Sequence, residues 1–212
     1  MKYVLLVLVL LVLSVLLIIV PNKNVYNISI FKILKNMSRK CVLMFKVSNM
    51  DVKVAQDNLF VFDDVMKSVG ITYWLSEGTA LGAIRNKGFI PGDDDVDTAM
   101  EYKYREKFIN EALPLLEKNG FELSLTFYNK NFFGFMRNGE KLDVDILQKG
   151  SECVSCKTIH AKCKLCDEIF PYLKFQRIQF LGRTFLVPGE EYLEYLYGKD
   201  WRIPTKHKEI YF

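Results

Sequence analysis

Apolar residues recur with a helical period in two segments of the chain, residues 54–69 and 104–119, which Gly70 and Gly120 end. This spacing predicts amphipathic helices. Runs rich in β-branched and aromatic residues predict strands at 71–75, 96–100, 121–127, 132–137 and 141–147, and a further hairpin over 175–187. A last helix is predicted after Pro188-Gly189. The pattern therefore predicts an α/β (α+β) domain with a mixed sheet flanked by helices.

Two turns in this pattern have specific signals. Asn138-Gly139 between two predicted strands is typical of a type I′ hairpin, so these strands are predicted to be antiparallel neighbours. Gly182-Arg183 is predicted to form the centre of the later hairpin. No internal repeat is found.

The N-terminal segment has a different pattern, with apolar residues from Tyr3 to Val20 interrupted only by Ser14 and ended by Pro21. As a helix this run would span about 27 Å, enough for a thin bilayer. An uncleaved signal anchor is favoured over a cleaved signal peptide because no small-x-small site lies near Val20. The predicted organisation is a transmembrane helix over 1–21, a stem over 22–51 and a catalytic domain over 52–212.

Composition adds little to this organisation. The 212 residues suffice for one globular domain with a sizeable core, and an aromatic content of 14% argues against disorder. The net charge of +4 is spread along the sequence, without the long Lys/Arg block of a nucleic-acid-binding tail. We therefore expect no nucleic-acid partner; a homo-oligomer is left open.

Candidate chemistry begins with the acidic stretch Asp93, Asp94, Asp95 and Asp97, which follows a Pro-Gly turn. Side chains on a strand repeat with period two, so Asp95 and Asp97 would face one side and could hold one hard cation. A second alternating strand, 141–147, places Asp143 and Asp145 on one face. A glycine-bearing loop, an Asp-x-Asp pair and a third Asp on a later strand are the arrangement of nucleotidyltransferase-fold enzymes. Such carboxylates can bind Mg²⁺ or Mn²⁺ for transfer of a phosphate group.

Roles follow for individual residues. Asp95 and Asp97 are the predicted metal pair, Asp145 the third carboxylate, and Asp93 a further ligand or the general base; Asp94 and Asp143 rank lower. The binding of the donor phosphates is predicted to involve three residues: Gly78 and Thr79 through backbone N–H groups, and Arg85 through its guanidinium.

These residues lie within a longer resemblance. Residues 75–97, then Val144-Asp145-Ile146, then Val187-Pro188, Tyr197-Gly198 and the stretch 200–204 resemble the LicD family, which includes phosphocholine transferases and fukutin-like proteins. The resemblance implies a nucleotidyltransferase fold, a CDP-linked donor such as CDP-choline or CDP-ribitol, and a glycan acceptor. One departure is Gly92, where the family usually has Trp before the first Asp.

A cysteine cluster lies in a predicted insertion over 150–168. Cys153, Cys156, Cys163 and Cys166 form two Cys-x₂-Cys pairs, which predict a structural Zn²⁺ held by four thiolates. Two disulfides are the alternative. The family resemblance supports the zinc-binding loop.

Together these observations predict a Mg²⁺-dependent transferase that moves an alditol phosphate or phosphocholine from a CDP-linked donor to a glycan hydroxyl. Two alternatives are a nucleotidyltransferase that moves a nucleoside monophosphate and a catalytically inactive, membrane-tethered binding subunit. Sequons at Asn27 and Asn36 favour a lumenal domain, whereas the lysines after the apolar run favour a cytoplasmic one. With the family resemblance, the expected location is the Golgi or endoplasmic reticulum lumen, as a single-pass type II membrane protein.

Overall fold

The computed structural model describes residues 50–127, 131–150 and 166–204. Five helices are named below: α1 Val52–Ser68, α2 Glu77–Leu81, α3 Arg105–Lys107, α4 Leu113–Lys118 and α5 Glu190–Tyr197. Seven strands are named: β1 Tyr73–Leu75, β2 Asp95–Glu101, β3 Glu122–Phe127, β4 Phe132–Arg137, β5 Glu140–Leu147, β6 Phe175–Phe180 and β7 Arg183–Pro188. Every predicted strand and helix within the described ranges is found, with bounds that differ by at most two residues.

Two helices continue or join through π-helical turns. Gly82–Asn86 extends α2, and Phe108–Ala112 joins α3 to α4. Pro114 lies in the first turn of α4, where its missing N–H costs least. The predicted helix over 104–119 is therefore present in three pieces.

The main sheet has five strands in the order β1-β2-β5-β4-β3. Only the central pair, β2 with β5, is parallel among the described strands; β1 with β2, β4 with β5 and β3 with β4 are antiparallel. The sheet is therefore mixed, as predicted. The β6–β7 hairpin forms a separate two-stranded sheet.

The β4–β5 hairpin has the predicted turn, since Asn138 and Gly139 both have positive φ, 53° and 85°. The β6–β7 turn lies one residue earlier than predicted. Its positive-φ residues are Leu181 and Gly182, with φ of 52° and 93°. Arg183 instead begins β7, and its guanidinium donates to Asp64 Oδ1 on α1 at 2.6 Å.

The core lies between the helices and the main sheet. Asp51 caps the N-terminus of α1, because its side chain accepts hydrogen bonds from the N–H groups of Lys53 and Val54. The helix packs against β5 and β2. Its Phe62 is fully buried and meets Tyr73 of β1 edge to face at 5.0 Å. Helix α5 packs against α2 and β7. These contacts fix β1 and α2 beside β2, the strand that carries Asp95 and Asp97.

The predicted membrane location is corrected. Within residues 50–127, 131–150 and 166–204, no helix is long and apolar enough to cross a membrane. The apolar run 3–20, on which that location rested, lies outside the described residues, as does most of the predicted stem. Three of the four predicted zinc ligands, Cys153, Cys156 and Cys163, also lie outside them. Cys166 is described; it is buried and opens a 3₁₀ turn.

Candidate metal and phosphate site

The parallel pairing of β2 with β5 brings four carboxylates to one face of the sheet. Asp95 is paired with Lys141, Asp97 with Asp143, and Ala99 with Asp145. Residues paired on neighbouring strands point to the same face, and so do residues two apart along one strand. Asp143, ranked below Asp145 from the sequence, is therefore the residue directly opposite Asp97. Asp145 lies one pleat repeat further along β5 and is 6% exposed.

The turn before β2 adds two more carboxylates. Asp93, Asp94 and Asp95 each offer one carboxylate oxygen within 4.8 Å of the others. Oδ2 of Asp93 is buried and accepts no hydrogen bond. Gly92 has φ of 93°, in the left-handed region that a Trp would rarely adopt, so the backbone here suits the glycine.

Helix α2, which follows β1, contacts two of these carboxylates through Gly78 in its first turn. A Cβ atom built on Gly78 would lie 2.9 Å from Asp93 Oδ2 and 3.1 Å from Asp97 Oδ2. The glycine-bearing loop predicted here is instead the first turn of helix α2. It is in close contact with the acidic stretch, and only glycine leaves the two carboxylates undisturbed.

The backbone of Asp97 is held from two sides. Its N–H donates to the hydroxyl of Thr79 at 2.8 Å, and its carbonyl accepts from the N–H of Ser76 at 3.1 Å. Thr79 is fully buried. The side chain of Thr79 therefore positions Asp97, in addition to the backbone role that the sequence predicted for this residue.

The predicted phosphate cation Arg85 is engaged elsewhere. Its Nη1 donates to the carbonyl of Trp201 at 3.0 Å, and its Nε donates to Asn86 Oδ1 at 2.7 Å. Burial lowers its pKa. Two of its five N–H donors are therefore used, and the bond to Trp201 holds the segment after α5 against the π-helical turn that extends α2.

The electrostatics of the site are those of crowded carboxylates. Burial, followed by repulsion from Asp95 and Asp94, raises the pKa of Asp93 to about 7. Burial and repulsion from Asp94 raise the pKa of Asp95 to about 6. The pKa values of Asp97 and Asp143 are also raised, first by burial and then by repulsion from Asp95. A divalent cation would relieve this repulsion, and an all-carboxylate donor set suits Mg²⁺ or Mn²⁺.

Two further charged residues of the site were not predicted. Lys141 lies opposite Asp95, and its Nζ is 2.6 Å from Asp94 Oδ2. The sequence could have indicated this position, because Lys141 is two residues before Asp143 on the same predicted strand and so faces the same side. Glu77 is buried at the start of α2 with φ of 42°, its N–H donates to the hydroxyl of Tyr192 at 3.3 Å, and its charge contributes to the raised pKa of Asp97.

A strand followed by a glycine-bearing helix that packs against Asp-x-Asp carboxylates, with a further Asp on the parallel neighbouring strand, is typical of a nucleotidyltransferase domain. Comparison with known families supports this class. The sequence model of the family described as "LicD/FKTN/FKRP, nucleotidyltransferase domain" matches residues 70–190. The chain therefore belongs to the LicD/FKTN/FKRP family, and the family resemblance drawn from the sequence is confirmed.

Individual relatives cover different shares of the chain. The ribitol-5-phosphate transferase FKTN of Mus musculus is 32% identical over 165 residues, which cover 73% of this chain and 34% of that protein. The lipopolysaccharide cholinephosphotransferase LicD of Haemophilus influenzae is 50% identical over 40 residues, which cover 19% of this chain and 15% of that protein. The chain thus spans about a third of the length of FKTN. A solution structure of the antibiotic-resistance factor ANT(2″)-Ia has a TM-score of 0.49 at 19% identity, covering 76% of this chain and 82% of that one.

Proposed function

We propose that this chain is a Mg²⁺- or Mn²⁺-dependent phosphotransferase. The group transferred would be an alditol phosphate of the ribitol phosphate type, or phosphocholine, moved from a CDP-linked donor to a glycan hydroxyl. The supporting relatives are a ribitol-5-phosphate transferase and a lipopolysaccharide cholinephosphotransferase. The observation that carries the proposal is the acidic face, where Asp95 and Asp97 lie beside Asp143 on the parallel strand.

The metal would be held by Asp95, Asp97 and Asp143, with Asp93 as a fourth carboxylate. The unpartnered Oδ2 of Asp93 supports this set, because a buried carboxylate oxygen without a donor is costly unless a cation or proton meets it. When bound, the ion would neutralise charge on the phosphate oxygens and so stabilise in-line displacement at phosphorus.

The chain itself would contribute binding and orientation. Thr79 and Ser76 fix the backbone of Asp97, so its carboxylate has little freedom. Gly78 lets the carboxylates of Asp93 and Asp97 approach the backbone of α2 without a steric clash. A contact of its backbone N–H with a donor phosphate stays a prediction. In the transfer, the oxygen of the acceptor hydroxyl forms a bond to phosphorus as the bond from phosphorus to the CMP oxygen breaks, and CMP leaves with that electron pair. The hydroxyl proton would pass to solvent, or to Asp93 in its alternative role as the general base.

The test is CMP release by the purified chain from CDP-ribitol and CDP-choline, with Mg²⁺ and a glycan acceptor. The variants Asp95→Asn and Asp97→Asn should lose at least about 100-fold in rate, since each removes a charge from the metal site. Asp57→Asn, at an exposed position on α1, is the matched control and should match wild type. Full activity of both site variants would show that the metal assignment is wrong, whereas pyrophosphate released from CTP would indicate the nucleotidyltransferase alternative.

A further inference from the structure

Lys141 is a cation on the face that carries the acidic residues. It lies opposite Asp95 in the parallel register, and its Nζ donates to Asp94 Oδ2 at 2.6 Å. The side chains of Lys141 and Asp94 are 34% and 41% exposed, so the pair lies at the mouth of the site and not beneath it. An ammonium carries three donor hydrogens, and a single bond to Asp94 leaves capacity for a second acceptor.

The position of Lys141 complements that of Arg85. Arg85 already donates to Trp201 and Asn86, which ties it to the segment after α5. Lys141 instead contacts the acidic stretch directly, because it binds Asp94, the residue next to Asp95. Its positive charge lowers the pKa of Asp93, Asp95 and Asp143 and so partly offsets the rise in pKa that burial causes. Of these two cations, Lys141 is the one in contact with the acidic stretch.

We propose that Lys141 binds a phosphate oxygen of the nucleoside diphosphate part of the donor through an N–H that its bond to Asp94 leaves available. This inference rests on the proposed function. A single positive charge at this point has opposite effects on the two ligands of the site: it attracts the diphosphate and repels the divalent cation. Removal of the charge must therefore change the two affinities in opposite directions.

The experiment uses Lys141→Met in the full chain and two separate binding measurements. Mn²⁺ affinity is measured without nucleotide by electron paramagnetic resonance, and we expect it to rise about 3- to 10-fold, a modest effect because the pair is partly exposed to solvent. CDP affinity is measured by calorimetry at saturating Mn²⁺, and we expect it to fall about 10-fold or more, as for loss of a charge-assisted hydrogen bond. Neither measurement depends on turnover.

Two further variants separate charge from structure. Lys141→Arg keeps the charge, so Mn²⁺ affinity should stay within about 2-fold of wild type and most of the CDP affinity should return. Lys103→Met removes a lysine from a similar ion pair, Lys103 with Glu101 at 2.8 Å, just beyond the opposite end of β2. It should change neither affinity. Thermal unfolding of each variant confirms that it is folded.

The outcomes distinguish this inference from the proposed function. If wild type binds Mn²⁺ and CDP but Lys141→Met lowers both affinities, Lys141 has only a structural role in the pairing of β2 with β5. An unchanged CDP affinity in Lys141→Met would also overturn the inference and leave the proposed function in place. If wild type binds no CDP in the presence of Mn²⁺, the proposed function fails, and the role of Lys141 fails with it.

Discussion

Gly78→Ala tests whether close packing of helix α2 against the acidic stretch is required for metal binding. The added methyl group would lie 2.9 Å from Asp93 Oδ2 and 3.1 Å from Asp97 Oδ2, which is about 0.5 Å and about 0.3 Å short of ordinary contact. The two oxygens must therefore move by roughly these amounts. Mg²⁺ requires oxygen ligands at about 2.0–2.1 Å in near-ideal geometry, so shifts of this size affect binding.

Gly78→Ala should change the stability of the fold only modestly and should weaken metal binding more clearly. Alanine in place of glycine within α2 gains up to about 1 kcal/mol in helix propensity, while overpacking costs about 1–3 kcal/mol. The free energy of unfolding should therefore change by less than about 2 kcal/mol. Metal affinity should fall at least about 10-fold, which corresponds to about 1.4 kcal/mol.

The assay combines urea unfolding, calorimetric titration with Mn²⁺ and CMP release. Gly88→Ala is the matched control, because a Cβ atom at Gly88 meets nothing within 4 Å; it should retain wild-type metal affinity. Gly82→Ala is not suitable as a control, since its Cβ would lie 2.6 Å from the carbonyl oxygen of Gly88. Wild-type Mn²⁺ affinity in a folded Gly78→Ala variant would refute the prediction that the packing of Gly78 against Asp93 and Asp97 affects metal binding.

Two further predictions concern the carboxylates. Asp143→Asn should weaken Mn²⁺ binding about 10-fold more than Asp145→Asn, because the register places Asp143 opposite Asp97; equal losses in the two titrations would contradict this. The pKa values of Asp93 and Asp95 are raised to about 7 and about 6, so the folded protein binds more protons than the unfolded chain between about pH 4 and pH 7. Stability without added metal should therefore fall as the pH rises from 5 to 8, and Mg²⁺ should restore it at pH 8. Thermal unfolding across this range measures both, and a melting temperature that rises with pH without metal would argue against the crowding of these carboxylates.

Much of the fold could be predicted because its signals are local. Asn138-Gly139 defines the β4–β5 hairpin through two adjacent residues that tolerate positive φ. The helical period of 54–69 matches α1 closely, and a glycine follows the helix. The turn at Leu181-Gly182 was misplaced by one residue because leucine rarely has positive φ, and the contact of Arg183 with α1 could not be seen in the sequence.

The acidic stretch could be found from the sequence, but its partners could not be ranked. Period two places Asp143 and Asp145 on the same face without indicating which of them lies next to Asp97. That choice depends on the register of β2 with β5, which a shift of two residues would reassign while preserving every buried and exposed position. The engagement of Arg85 by Trp201 likewise depends on contacts distant in the sequence.

The parallel pair of β2 and β5 makes the site depend on the assembly of the whole sheet. Asp93, Asp95 and Asp97 lie in one continuous segment, whereas Lys141 and Asp143 are separated from them along the chain by α3, α4, β3 and β4 and lie beside them through the pairing of β5 with β2. Parallel strands require such a crossover. Because the like charges of the site repel one another, this pairing is opposed locally and must be stabilised by the apolar face beneath it, where Val96, Leu142 and Val144 are buried. The core of the sheet therefore holds together a set of carboxylates that would otherwise separate.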